Sequence, residues 1–158
     1  KCNGISIQDC EYDETRQQLC TVKSAAQATY NIPIYVFRNT DQALQWTLCV
    51  ELFSTKTTVT FGLQPRDKLY PDGFYGFNND GLMYKIGLVV SNTSQKIDSG
   101  DIIFLTYEPI KKKLTLSMYN KDVSKVISNP VKNVKHENYE LYFELNGKGT
   151  KFDIKMKN

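Results

Sequence analysis

Apolar and polar residues alternate along much of this chain, which is the pattern of strands with one buried face. Residues 45–53 place Trp46, Leu48, Val50 and Leu52 on one side, and we expect Trp46 to pack between two sheets. Residues 113–119 separate Leu114, Leu116 and Met118 from Thr115, Ser117 and Tyr119 in the same way. Further strands are predicted at residues 32–37, 56–63, 74–77, 82–86, 88–90, 101–108, 123–127, 139–145 and 151–156.

The segments between these strands carry turn residues. Asn78, Asn79 and Gly81 supply the backbone conformations of a tight hairpin, and residues 147–149 form a second Gly-rich turn. Residues 64–73 hold two prolines and a Pro-Asp-Gly turn, and residues 129–138 also read as loop. Short strands at regular intervals, with no convincing helix, predict an all-β antiparallel sandwich or barrel.

The first thirty residues give the weakest pattern. Ile5 and Ile7 alternate with polar neighbours, whereas residues 9–28 are polar and suit a short helix or an irregular arm. We therefore divide the chain into an N-terminal arm at residues 1–30 and a β-domain at residues 31–158. Because the chain begins with Lys1 rather than Met, we expect a fragment or a processed protein.

Length and charge narrow the class of protein. With 158 residues the chain fits one domain that buries its own core. The net charge of +3 is spread out, and residues 111–113, the one lysine cluster, are too short for a nucleic-acid surface. No apolar run reaches the roughly 18 residues of a membrane span. We expect no nucleic-acid partner and no membrane insertion.

The sequence contains no recognisable catalytic constellation. His136 is the single histidine, in a polar segment, and no nucleophile motif accompanies it. Residues 147–149 lack the frame of a phosphate-binding loop. Asp72, Asp80 and Asp98 sit in separate turns rather than in one metal loop. We therefore predict a protein that is not an enzyme and has no cofactor, metal site or catalytic residue.

The cysteines leave two alternatives open. Cys2, Cys10, Cys20 and Cys49 lack zinc-site spacing, and an even number allows two disulfides in a secreted protein. A domain of this size needs no such crosslinks, and Cys49 lies inside a predicted strand. Thiols in a reducing, intracellular compartment are favoured over secretion.

Several segments follow one another in an order known from a family. They are residues 46–51 (WTLCVE), 59–63 (VTFGL), 73–77 (GFYGF) with 80–84 (DGLMY), 99–103 (SGDII), 114–121 (LTLSMYNK), 141–145 (LYFEL) and 151–154 (KFDI). Over residues 32–156 this ordered set resembles the SPRY domain family, as a divergent member. No glycine separates Asn120 from Lys121, Phe104 replaces a usual glycine, and a usual proline before the penultimate strand is missing.

The resemblance implies a bent, concanavalin-like antiparallel β-sandwich that binds protein or peptide partners through loops at one end. It also implies a multidomain or multi-subunit context, such as substrate recognition for a ubiquitin ligase. The loop after residues 59–63 often contributes binding residues in the family. Our predicted partner-binding residues are accordingly Gln64, Pro65, Arg66, Asp67, Lys68, Tyr70 and Tyr75.

The residues of this loop support the same assignment independently of the family. Arg66 and Tyr70 are of the types that dominate interface energetics. Pro65 and Pro71 limit the entropy lost when a loop is fixed on binding. We expect Phe74 and Phe77 to pack in the core. The alternative function is a secreted or surface lectin-like domain with two disulfides, in which loop aromatics stack on sugars.

Overall fold

A computed structural model of the chain describes residues 5–21, 25–31, 43–52 and 57–157. The described residues form fourteen strands and no helix. The strands are β1 (Ile5–Gln8), β2 (Cys10–Asp13), β3 (Gln18–Thr21), β4 (Ala25–Asn31), β5 (Leu44–Leu52), β6 (Thr58–Pro65), β7 (Tyr75–Asn78), β8 (Leu82–Lys85), β9 (Leu88–Asn92), β10 (Ile102–Glu108), β11 (Lys113–Asn120), β12 (Lys125–Lys132), β13 (Tyr139–Asn146) and β14 (Lys151–Lys157).

The strands form two antiparallel sheets. The first, sheet A, has the order β1-β4-β13-β6-β7-β8-β9, and the second, sheet B, has the order β12-β11-β10-β5-β14-β3-β2. Apolar side chains from both sheets form one core between them. The predicted all-β sandwich is confirmed.

The apolar residues that alternate with polar ones along the strands are buried in the core, as predicted. Trp46, Leu48 and Val50 of β5 are buried by at least 98 %. Leu114, Leu116 and Met118 of β11 are buried, whereas Tyr119 points to solvent. Burial of apolar side chains on one face of each strand stabilises the sandwich and fixes the register of every pair, because a one-residue slip would reverse the faces.

The N-terminal segment differs from the prediction. Instead of a short helix or an irregular arm, its described residues include three strands between residues 10 and 31. β4 pairs with β13 in sheet A, and β3 pairs with β14 in sheet B. These strands are short and mostly polar, so their pairing depends on distant partners that a local pattern does not show. The division of the chain at residue 30 stays a prediction, although β4 runs across it.

The second difference concerns residues 129–132, which continue β12 although a loop was predicted there. Pro130 lies opposite Thr115 in this strand. A central strand pairs on both sides, so a proline in it leaves a neighbouring strand without a hydrogen bond. β12 lies at an edge and pairs on one side alone, so it accommodates Pro130. The strand predicted at residues 32–37 lies outside the described residues.

Three loops meet at one end of the sandwich. They are the β6–β7 loop (residues 66–74), the β10–β11 turn (residues 109–112) and the β12–β13 loop (residues 133–138). The Arg66 amide donates to the Asn138 carbonyl (3.0 Å), and the Val134 amide donates to the Lys112 carbonyl (2.9 Å).

Within the described chain, no helix is long and apolar enough to cross a membrane.

Candidate functional site

The β6–β7 loop folds back over the outer face of sheet A. Tyr70 stacks on Tyr142 of β13, and the edge of its ring meets Phe74 at a centroid distance of 5.1 Å. Phe74 also packs edge-on against Tyr84 and Tyr142, at 5.7 and 6.1 Å. Phe74 is fully buried, as predicted, but in this outer cluster rather than between the sheets. The loop is therefore anchored by aromatic packing.

Two neighbouring glycines of sheet A occupy positions at which a side chain would clash. Gly62 lies between Tyr142 and Gly76 in the register of sheet A, and Gly76 lies opposite Tyr84. A Cβ at position 62 would overlap the Tyr75 carbonyl oxygen, and a Cβ at position 76 would lie 2.5 Å from Phe74 Cζ. Glycine at position 76 therefore leaves space for the Phe74 ring, and glycine at position 62 allows the close approach of β7.

The Gln64 side chain binds the backbone of the β6–β7 loop by two hydrogen bonds. Its side-chain Nε2 donates to the carbonyl oxygens of Lys68 (3.1 Å) and Asp72 (2.9 Å), which stand at either side of the loop tip. Gln64 is 3 % exposed, so the donor side of both bonds is shielded from water, while Lys68 and Asp72 are exposed. One buried amide thus holds the tip in a single shape, which lowers the entropy lost on binding.

Arg66 lies at the border between the loop and sheet A. Its Nε donates to the Tyr139 carbonyl oxygen (3.4 Å), and its Nη2 is buried with no hydrogen-bond partner among the described residues. Burial raises the pKa of the neighbouring Glu140, and the guanidinium charge of Arg66 offsets part of that rise. Because Nη2 is shielded from solvent, this part of the guanidinium lies inside the protein and is not presented to a partner.

The loop tip carries the most exposed apolar side chain that the structure describes, Leu69, at 87 %. Asp67 and Lys68 are exposed beside it, and Tyr70 is half-buried. Lys68 Nζ lies 3.8 Å from Glu137 Oε1 of the β12–β13 loop. An exposed pair of this kind contributes little to stability.

The predicted site residues fall into two groups. Arg66, Asp67, Lys68 and Tyr70 reach the surface, whereas Gln64 and Pro65 are buried below the loop. Tyr75 is fully buried between the sheets, where its hydroxyl accepts from the Lys135 amide (3.3 Å). That Gln64, Pro65 and Tyr75 contact a partner stays a prediction, and their burial favours a role in supporting the loops from inside.

The prediction from the sequence did not include Leu69 or the two neighbouring loops that complete this end of the molecule. We define the end surface by its exposed or half-buried members, which are Arg66, Asp67, Lys68, Leu69, Tyr70, Asp72, Ile110, Lys111, Lys112, Lys135, His136 and Glu137. Its five Lys and Arg residues outnumber its three carboxylates, so the surface is positive. An exposed leucine between charged residues and a proline is the sequence signal that would have revealed Leu69.

Burial shifts the acidity of the tyrosines at this end. It raises the pKa of Tyr70 to about 12, with a further contribution from the negative charge of Glu144. Burial also raises the pKa of Tyr107 to about 12, and it raises those of Tyr139 and Tyr142. The Tyr139 hydroxyl donates to the Lys135 carbonyl at 2.5 Å, which ties the β12–β13 loop to the core.

A second concave surface lies at the opposite end, between residues 95–101 and residues 118–122. This cleft has a volume of about 200 Å³ and is lined by Gln95, Lys96, Asp98, Asp101, Met118, Tyr119, Asn120, Lys121 and Asp122. Asn120 Nδ2 donates to Gln95 Oε1 (3.2 Å), which joins the two walls. The Asp98 amide donates to Asp101 Oδ2 (2.8 Å) in the turn before β10. Among the described residues no cluster of three or more His, Cys, Asp or Glu could hold a metal ion.

Two seven-stranded antiparallel sheets with loops gathered at one end define a SPRY-like β-sandwich. The SPRY domain of human HERC1 superposes with a TM-score of 0.64 at 14% identity, covering 94% of this chain and 92% of that one. The TRIM65 PSpry domain gives 0.61 at 8% identity, covering 98% and 93%. These likenesses show a SPRY-like fold, the fold that the ordered motifs implied.

The same sandwich occurs in lectins. A Lotus tetragonolobus seed lectin superposes with a TM-score of 0.55 at 14% identity, covering 100% of this chain and 96% of that one. At the level of sequence, no family model and no curated protein matches the chain.

Proposed function

We propose that this protein is a non-enzymatic interaction module that binds a protein or peptide partner through the end surface. The observation that carries the proposal is the loop tip, where Gln64 holds the backbone in one shape while Leu69 projects into solvent. An exposed anchor on a rigid backbone is what a binding surface needs, since little entropy is lost when the partner docks.

The charges of the end surface indicate how a partner is held. Arg66, Lys112 and Lys135 place positive charge on the end surface, and Lys111 pairs there with Glu108 at 3.3 Å. A segment with a carboxylate beside a branched apolar side chain would complement both this charge and the exposed leucine of the loop tip. The module belongs in this proposal to a larger protein or assembly, for example as the part of a ubiquitin ligase that recognises substrates.

Selection of a displayed random peptide library on the whole chain tests the proposal. Selected peptides are then titrated against Leu69→Ala, Arg66→Ala and the control Ile102→Ala, which removes an exposed apolar side chain from sheet B. We expect the two loop variants to bind at least about tenfold more weakly and the control to stay within about twofold. Peptides that bind all three variants equally would place the interface elsewhere.

The cleft at the opposite end supports a second candidate function, the binding of a neutral saccharide. Three carboxylates and two lysines nearly balance in charge there, and Tyr119 is 53 % exposed at the rim. Such a lining offers donors, acceptors and an aromatic face to a hydroxyl-rich ligand without favouring an ion. Binding of the whole chain to an array of neutral oligosaccharides, lost in Tyr119→Ala, would support this function. An array without signal would rule it out.

The intracellular location predicted from the sequence also stays a proposal. Mass spectrometry of the native protein after alkylation, with and without reductant, tests it. Four alkylated cysteines without reductant agree with an intracellular protein, and alkylation that requires reductant favours the secreted alternative.

A further inference from the structure

Strand β9 forms one edge of sheet A and is exposed along its whole length. It pairs with β8 on one side, and no described strand pairs with it on the other. Leu88, Val89 and Val90 are 69 %, 55 % and 54 % exposed, and Ile86 of the preceding turn is 46 % exposed. An edge of this kind presents free backbone donors and acceptors beside apolar side chains, which favours pairing with another strand.

The edge strand of sheet B provides a contrast within the same molecule. β12 carries Pro130 in its ladder and begins and ends with lysines, Lys125 and Lys132. Proline and lysine are the residues with which proteins block edge pairing. β9 (LVVSN) has neither, nor any charge. A bulge between Met83 and Tyr84 leaves Val90 as the extra residue, which bends β9 but adds no charge to it.

The charges at the two ends of β9 indicate the partner. Leu88 pairs with Lys85, so one end is positive. After Asn92 the chain returns to the β7–β8 turn, where the Thr93 amide donates to the Gly81 carbonyl and the Ile97 amide donates to the Asn79 carbonyl. The exposed charges of this turn and the returning segment are Asp80, Lys96 and Asp98, two of them negative. An antiparallel pair of identical strands brings the positive end of one copy to the negative end of the other. Its middle pairs Val90 with Val90, and no like charges stand opposite each other within the strand.

We propose that β9 pairs antiparallel with β9 of a second copy of this chain, which joins two A sheets across a twofold axis. The contact is isologous, as in most homodimers. Because the shared ladder is five residues long, the dimer is weak and forms at high protein concentration. No residue of β9 belongs to the end surface, although Gly87 of the β8–β9 turn lies against Pro71 of the β6–β7 loop.

Sedimentation equilibrium of the whole chain, from roughly 10 µM to 1 mM, covers the range in which small interfaces associate. We expect the mass to rise from 18.1 kDa toward twice that value. Val90→Lys sets two ammonium groups opposite each other and should raise the dissociation constant at least about tenfold. Val126→Lys places the same charge on β12 and should leave association unchanged.

A mixture of Val90→Lys and Val90→Glu tests the symmetry of the contact. Each variant alone should stay monomeric, and the mixture should associate. Concentration-dependent protection of the β9 amides from hydrogen exchange gives a second measurement that needs no variant. The proposal would be overturned if the wild-type chain stayed monomeric throughout the concentration range. It would also be overturned if Val126→Lys weakened the dimer and Val90→Lys did not, or if β9 paired with a foreign peptide and not with a second copy.

Discussion

Tyr70 lies flat on Tyr142, with ring centroids 4.6 Å apart and ring planes inclined by 17°. One ring belongs to the β6–β7 loop and the other to the middle of sheet A, so the stack joins the candidate binding loop to the scaffold. The shape of the loop thus depends on contacts with the sheet as well as on its own sequence.

A double-mutant cycle measures this connection. Tyr70→Ala and Tyr142→Ala, separately and combined, should show a coupling free energy of about 0.5–1.5 kcal/mol in denaturant unfolding, the value typical of aromatic pairs. Tyr119→Ala, on the outer face of sheet B, serves as the control partner. Its effect should add to that of Tyr70→Ala within about 0.5 kcal/mol. Additivity of Tyr70→Ala and Tyr142→Ala would mean that the stack does not hold the loop.

Gln64→Ala should loosen the loop tip. It removes the donor from two carbonyl oxygens, and a shielded polar group left without a partner costs about 1–3 kcal/mol in the free energy of unfolding. Hydrogen exchange at residues 66–73 should quicken. Gln45→Ala is the matched control, since Gln45 donates one bond to Thr106 Oγ1 on sheet B. Unchanged exchange in the loop of Gln64→Ala would show that other contacts fix its backbone.

Gly62→Ala should destabilise the protein by about 3 kcal/mol or more, because the added methyl overlaps backbone of the neighbouring strand that cannot move aside. Gly100→Ala separates crowding from backbone strain. A Cβ there meets nothing within 4 Å, although φ is +87°. It should cost about 1–2 kcal/mol. Thermal unfolding of both variants checks the difference, and equal losses would argue against crowding between β6 and β7 at position 62.

Stability should fall in strongly alkaline solution. The folded state raises the pKa of Tyr70 from 10.0 to about 12, so it holds the proton more tightly than the unfolded chain does. The free energy of unfolding therefore decreases as the pH rises from 10 toward 12, and is unaffected by this residue below that window. Tyr107, Tyr139 and Tyr142 act in the same direction.

Denaturant titrations at increasing pH measure this loss, and Tyr70→Phe should make it less steep because one titrating hydroxyl is gone. An unchanged slope in Tyr70→Phe would mean that Tyr70 ionises equally in both states.

The sequence predicted the sandwich because its central strands carry their burial pattern locally. Val59 and Phe61 alternate with polar residues, and both are buried in the core. The loop predicted at residues 129–132 was wrong because Pro130 is allowed in an edge strand, and the sequence does not show that β12 lies at an edge. The polar N-terminal strands were missed for a related reason, as their partners are far away in the chain.

The candidate site was predicted in part. The position of the loop and the exposure of Asp67 and Lys68 follow from local composition. The burial of Gln64 does not, because alternation places its side chain on the outer face of sheet A and only the returning loop covers it. The neighbouring turn with Ile110 joins the surface through the fold alone.

The aromatic anchoring of the β6–β7 loop has a consequence for protein engineering. Tyr70 and Phe74 hold the loop from its second half, and Gln64 holds it through backbone oxygens. The side chains of Asp67 and Leu69 are not part of these contacts, and Lys68 adds only an exposed ion pair with Glu137. These three positions can be randomised on an unchanged backbone. The domain is thereby suited to serve as a scaffold for selecting new binding specificities.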